Sequence, residues 1–305
     1  MSRARKSTRV RGVVAAAVAI AVAAPVAAAQ TGAPTLVVDR APKRVGYRQT
    51  AIVKARLQNG APGDEVAIEK RVGEWWKLLQ TKPVDDEGRV TFRLRDRRTS
   101  STYRVSWTDP LSEAVTTSES FRVRVRPQLT LRSRPRHPYA GERIVLRGTL
   151  RPAERGRRVV LQRRVSGEWR TMGRAGAGDG TFRFGFSAPR AGRNKVRAVF
   201  RGDEGNTSRT RSRAVTVFDP DLATWYGPGF YGNSTACGRR LTRGTLGVAH
   251  RSLPCGTMVR IAFRGRTIRV PVIDRGPYTS AEWDLTEETA NRIGFSGKQT
   301  IGTAL

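Results

Sequence analysis

Thr267-Ile268-Arg269-Val270-Pro271-Val272-Ile273-Asp274-Arg275-Gly276-Pro277-Tyr278 decides how the carboxy-terminal part of this chain folds. Its first seven residues are rich in β-branched side chains and predict a strand. Gly276-Pro277 then forces a sharp turn. Asp274 therefore stands at the end of an apolar strand, where partial burial is expected to raise its pKa. If the strand persists, Arg275 points to the opposite side and leaves that shift intact.

Further elements are predicted on either side of this stretch. Met258–Phe263 reads as a strand joined to it through Arg264-Gly265-Arg266, a hairpin-length turn. Gly247-Val248-Ala249 and Gln299–Thr303 supply two more strand candidates. The span from Glu282 to Ile293 predicts a short helix, with Thr286 as N-cap, Glu287 and Glu288 in the first turn, and Gly294 ending it. Upstream lies the aromatic, glycine-rich run Trp225-Tyr226-Gly227-Pro228-Gly229-Phe230-Tyr231-Gly232. Gly-interleaved aromatics beside a proline fit a regular core poorly. Trp225, Tyr226, Phe230, Tyr231 and Tyr278 are therefore candidates for stacking on sugar rings, with Trp225 the one best suited to the core.

The middle of the chain is repetitive. Val66-Ala67-Ile68-Glu69-Lys70-Arg71-Val72 recurs 93 positions later as Val159-Val160-Leu161-Gln162-Arg163-Arg164-Val165, and Trp76 recurs as Trp169. Each copy shows short alternating strands between turns such as Asn59-Gly60 and Gly178-Asp179-Gly180. The expectation is a pair of Ig-like β-sandwiches, with Trp76 and Trp169 as buried packing residues. They would act as spacers, and nothing in them looks catalytic.

Composition narrows the setting. Arg3, Arg5, Lys6, Arg9 and Arg11 precede an apolar Val13–Ala28 run and Ala27-Ala28-Ala29, the pattern of a secretory signal peptide. A membrane anchor is the alternative, although the run is shorter than the roughly 20 residues a span requires. No later stretch is apolar enough to span. Export makes Cys237 and Cys255 an expected disulfide. With only His137 and His250 and no Cys-x-x-Cys, no metal or other cofactor is expected.

Lys plus Arg number 57 against 25 Asp plus Glu, a formal net charge of +32. The charges alternate along strands, as in Arg122-Val123-Arg124-Val125-Arg126, which is first of all the solvated face of a sheet. No basic helix, zinc finger or RNA-binding signature accompanies them, so nucleic acid is not the expected partner. Anionic envelope polymers are.

The words Ala223-Thr224-Trp225-Tyr226-Gly227, Thr235-Ala236-Cys237-Gly238, Ala249-His250-Arg251-Ser252-Leu253-Pro254, Asp274-Arg275-Gly276-Pro277 and Asp284-Leu285-Thr286 occur in this order. Together they resemble the double-psi β-barrel of the rare lipoprotein A family, whose relatives include expansins. The resemblance implies an exported or wall-associated protein that binds peptidoglycan glycan strands and cleaves them as a lytic transglycosylase. Asp274 corresponds to the family's aspartate, an acid/base, and His250 to its histidine, which would orient Asp274 or a sugar hydroxyl or else hold the barrel. The family's glutamate after the Thr-Ala-x-Gly word is replaced by Arg239. That replacement and the cysteine pair favour the alternative, a non-catalytic, expansin-like glycan-binding or wall-loosening module, while cleavage stays the leading expectation.

Asp284 is a second carboxylate candidate, with a cap or loop brace as its alternative role. Trp225, Tyr226, Tyr231, Arg275 and Tyr278 would contact substrate. The expected architecture is all-β: a signal peptide (1–29), two tandem Ig-like sandwiches (30–126 and 127–218), a linker (219–221) and a six-stranded double-psi barrel with one short helix (222–305).

Overall fold

The computed structural model describes residues 32–305; the expected signal peptide lies outside the described residues. Among those residues no helix is long and apolar enough to cross a membrane.

Two sandwich-like units precede the barrel, each with its own core. In the first, a three-stranded sheet (Thr35–Arg40, Ala51–Gln58, Arg89–Leu94) faces a sheet that includes Glu65–Val72, Trp75–Pro83, Ser101–Thr108 and Phe121–Arg126. The Ala51–Gln58 strand alternates buried and exposed residues, so Ala51, Val53, Ala55 and Leu57 all reach the core with Phe92, Val105 and Tyr103. Each large apolar side chain buried this way contributes about 1.5–3 kcal/mol. The second unit builds a separate core from Ile144, Leu146, Leu150, Leu161, Phe182 and Phe200, among others.

Trp76 and Trp169 are not in these cores. Both are only partly buried. Arg104 lies 4.5 Å from the Trp76 ring centroid, and its repeat equivalent Arg197 lies 4.2 Å from that of Trp169. The cause is a β-bulge that both copies share. The ladder shifts between Ile68 and Glu69 in the first and between Leu161 and Gln162 in the second. One extra residue in a strand inverts the facing of everything beyond it.

The barrel is closed, in the order Asp219–Tyr226, Trp283–Thr286, Val248–Ala249, Arg266–Asp274, Met258–Phe263, Gln299–Ala304. The first strand pairs with two neighbours along its length. Asp219–Ala223 runs antiparallel to the closing strand, and Ala223–Tyr226 runs parallel to Trp283–Thr286. Asp219-Pro220-Asp221, expected as a linker, is thus the start of a barrel strand. It follows directly from Phe218, which is buried beside Ala262 and Ala304.

The helix is shorter than the sequence suggests and spans Glu287–Ile293. Residues 283–286 are instead the strand between Asp219–Tyr226 and Val248–Ala249, where both ladders claim their backbone groups. The caps are as expected. Thr286 accepts from the Thr289 amide, and Gly294 adopts φ 73°, a left-handed conformation that glycine reaches without a Cβ penalty. Gly247 is required for a different reason: a Cβ there would lie 2.5 Å from Ile273 side-chain atoms. Thr286 and Thr289 hydroxyls both donate to its carbonyl, fixing the entry to the short Val248–Ala249 strand.

Candidate active site

Two carboxylates face each other across the narrowest strand of the barrel. Ala249 is paired with Asp274 on one side and Asp284 on the other. Two strand spacings place the Cα atoms of the acids about 10 Å apart. Both side chains line one cleft of about 360 Å³, together with Thr224, Tyr226, Phe230, Tyr278 and the Gly276-Pro277 turn. Tyr278 follows the Gly276-Pro277 turn and stands at the rim, 86% exposed.

The two acids have different surroundings. Asp274 Oδ1 accepts amide hydrogen bonds from Ala236 at 2.9 Å and Arg275 at 2.8 Å. Asp284 is pushed up to about 6, chiefly by burial; the Thr224 hydroxyl that donates to its Oδ1 at 2.9 Å pulls the other way, and the charge of Asp274 adds to the rise. The raised carboxyl of the site is therefore Asp284. Tyr226 adds a phenol held well above its ordinary range by burial and then by the charges of Asp274 and Asp284. Its buried hydroxyl has no partner of regular hydrogen-bond geometry, although the Asp274 carboxyl lies near enough to accept its proton. It is a spare donor pointed at the carboxylates.

The other expected site residues are distributed unevenly. His250 is buried outside the cleft lining. Its Nδ1 accepts the amides of Ser252 and Leu253, both at 3.1 Å, so the ring proton is on Nε2, 3.1 Å from Glu282 Oε1. The ring packs 4.4 Å from that of Trp283. Only the His250 backbone meets Asp274, through its amide to the Asp274 carbonyl at 3.2 Å. The His250 ring is thus engaged with the Ser252 and Leu253 amides, Glu282 and Trp283, and no hydrogen bond joins it to the Asp274 carboxyl among the described residues.

Arg275 lines the cleft, but its guanidinium is taken by the Leu253 carbonyl at 3.0 Å and by contacts with the His250 carbonyl and Cys255 Sγ. Trp225 is neither core nor cleft: strand alternation turns Thr224 and Tyr226 inward and leaves it 38% exposed on the other side. Tyr231 also lies off the cleft, its hydroxyl donating to Glu287 and its ring under Arg243. Arg239 is exposed and does not line the cleft.

Sequence reasoning missed two supports. Arg251 donates to the carbonyls of Pro277 and Ala281 at 2.9 and 2.7 Å and to that of Thr279, fixing the loop that bears Tyr278. Glu282 joins Arg251 at 3.3 Å to His250. Their signal was weak, because a lone Arg and Glu 31 residues apart form no spaced motif. The Cys237–Cys255 disulfide, closing a separation of 18 residues, ties the turn that presents the Ala236 amide to the strand region under Asp274.

Residues 222–304 match the family model described as lytic transglycolase. Among curated relatives, the probable endolytic peptidoglycan transglycosylase RlpA of Synechocystis sp. is 40% identical over 87 residues, covering 28% of this chain and 27% of that protein. The RlpA of Aquifex aeolicus, also a probable endolytic peptidoglycan transglycosylase, is 40% identical over 76 residues, or 24% of this chain and 34% of the relative. The endolytic peptidoglycan transglycosylase RlpA of Campylobacter jejuni is 36% identical over 87 residues, or 28% and 32%. The chain thus spans about a third or less of the length of these relatives, all of it in the barrel. Residues 222–304 form an RlpA-like double-psi β-barrel of the lytic-transglycolase family.

Proposed function

We propose that the barrel binds peptidoglycan glycan strands outside the cytoplasm and cleaves them as a lytic transglycosylase, with Asp274 and Asp284 as the working pair. The observation that carries this reading is the convergence of both acids, from either side of Ala249, on one cleft with an aromatic rim. Asp284, raised to about 6, holds a proton for the glycosidic oxygen at mildly acidic pH. Asp274 is placed to accept the proton of the muramic acid C6 hydroxyl as that oxygen closes on C1, giving a 1,6-anhydro product. Tyr226 donates to whichever oxygen lies between them. Tyr278 and Phe230 offer ring faces to pyranose units. The Cys237–Cys255 disulfide fits an exported protein.

The test is digestion of purified glycan strands stripped of stem peptides by amidase. Anhydromuramic ends should appear with the wild type and be lost with Asp274→Asn and with Asp284→Asn. A second reading, non-catalytic glycan binding of the expansin kind, draws support from Arg239, which faces solvent where the family has a glutamate. It predicts sacculus binding by all three proteins and anhydromuramic ends from none.

A further inference from the structure

A second built cleft lies far from the barrel chemistry, where the two sandwich units meet. Its volume is about 590 Å³, and Arg44, Arg122, Arg124 and Arg201 line it with Ser100 and Ser208. Arg44 and Arg124 occupy facing positions on neighbouring parallel strands, Arg44–Gly46 and Phe121–Arg126. Like charges in that register repel. None of the four arginines belongs to an ion pair among the described residues.

Two carboxylates sit on the cleft, and one is already occupied. Asp203 receives Arg157 Nε at 2.8 Å and Nη2 at 3.2 Å. Glu204 is the remaining acid, and its carbonyl accepts from Arg122 Nη2 at 2.9 Å. A concentration of guanidinium groups outside any ion pair thus survives folding with little internal compensation.

The cleft is also held rigid. Arg157 is almost fully buried, its side chain 3% exposed, and it donates to Asn206 Oδ1 at 2.7 Å and the Pro152 carbonyl at 2.6 Å besides Asp203. Asn206 reaches into the first unit, donating to the carbonyls of Arg98 at 2.9 Å and Val125 at 3.3 Å. The Ser100 amide donates to the Gly205 carbonyl and the Thr207 amide to that of Val125. The Asp203–Ser208 loop is therefore locked to both units, and the arginines on the two walls keep a fixed spacing. On the far side of Arg201 a second groove continues with Arg155, Arg158 and Arg174.

We infer that this junction cleft is a binding site for a linear phosphate-bearing polymer. Guanidinium groups fork toward paired oxygens. A tetrahedral phosphate presents oxygens to forks from two walls at once, whereas a planar carboxylate is best met by one fork along its edge. No aromatic side chain lines the cleft, and Phe200 of the continuing groove is buried with Arg157 over its ring, so the stacking platform with which single-stranded nucleic acid is gripped is lacking. The continuing groove suits a chain of phosphates over an isolated ion. The site is independent of the barrel reading and would tether the enzyme to its surroundings whatever the barrel does.

The test uses the exported full chain and fluorescently labelled inorganic polyphosphate, titrated by anisotropy at fixed ionic strength. Arg122→Gln/Arg124→Gln/Arg201→Gln should weaken binding about tenfold or more. Arg147→Gln/Arg183→Gln/Arg190→Gln removes the same charge from exposed positions elsewhere and should weaken it less than about twofold. Ser208→Glu, which adds a carboxylate to the cleft without removing an arginine, should weaken binding as well. Equal losses in the two triple variants would overturn the site, leaving only diffuse charge. Polygalacturonate binding more tightly than polyphosphate, at matched charge, would overturn the phosphate assignment, and single-stranded DNA doing so would overturn the exclusion of nucleic acid.

Discussion

The barrel cleft and the junction cleft are electrostatic opposites on one chain. In the barrel, two carboxylates and two phenols are gathered in a chain whose formal charge is +32, and the one arginine of the lining, Arg275, is spent on backbone carbonyls. At the junction, four arginines are gathered and the nearest aspartate is spent on a buried arginine. What differs is how the neighbours' capacity is used up. Engaging the local counter-charge elsewhere leaves each cleft with an excess of one sign: Arg275 is turned to neutral carbonyls, and Glu204 is the one acid of the junction outside an ion pair. The lesson is that net charge does not locate function here, whereas the bookkeeping of hydrogen-bond partners does.

The strongest way to break this comparison is at the carboxylates. Asp274→Asn and Asp284→Asn should each lower glycan cleavage about 10²–10⁴-fold, the range of a lost acid–base group. Polyphosphate affinity should not change. The triple arginine variant should show the reverse pattern. Cross-talk in either direction, read from anhydromuramic product and anisotropy in the same preparations, would show that the clefts are not separate.

Next in size is the support beneath each cleft. Arg157→Met leaves Asp203 and the Asn206 loop without their buried partner and should cost about 3–5 kcal/mol in a denaturant melt. Polymer affinity should fall with it, because the loop no longer holds Arg201 opposite Arg122. In the barrel, Cys237→Ser/Cys255→Ser should cost about 3 kcal/mol, from the entropy of the freed loop. Cleavage should fall further than stability alone explains, since the Ala236 amide that steadies Asp274 adjoins Cys237.

Asp284 gives a subtler, pH-dependent effect. Its carboxyl titrates near pH 6 in the folded protein against a reference of 3.8. The folded state thus holds the proton more tightly than the unfolded chain, and stability declines as pH rises from about 4 to about 6. Above that window the cost of burying the charge is fully present; below it the cost is absent. Asp284→Asn should therefore raise Tm at pH 8 and leave it unchanged at pH 4. Wild-type cleavage should decline as pH rises through about 6, as a required acid loses its proton.

Much of this was legible in the residues. Repeat periodicity marked two similar β units, separated words marked the barrel, and a lone cysteine pair behind an export signal marked the disulfide. Thr286 and Gly294 announced both helix caps. What stayed hidden depended on contacts far apart in sequence. The His250 ring is fixed by Glu282 and Trp283, which no local spacing couples to it. The Asp219–Asp221 segment looks like a hinge until the closing strand pairs with it. The junction cleft forms from residues of both repeats that alternate innocently along their own strands.

Trp76 and Trp169 show why alternation alone misleads, and they supply the smallest test. A bulge inverts each strand, so both indoles face outward beneath an arginine. Arg104 is further held by Glu69 at 2.6 Å, and Arg197 by the neutral Gln162 at 2.7 Å. These guanidinium groups are occupied, unlike those of Arg44, Arg124 and Arg201 at the junction, where Arg122 alone reaches a backbone carbonyl. Arg104→Ala should cost about 1 kcal/mol, from a partly buried cation–π contact and its ion pair, and Arg197→Ala somewhat less because its second partner carries no charge. Both should shift polyphosphate affinity less than about twofold, as charges distant from the cleft do. A shift in Arg197→Ala as large as that from Arg201→Gln would mean that occupied and free arginines bind polymer alike, and the contrast drawn from partner bookkeeping would fail.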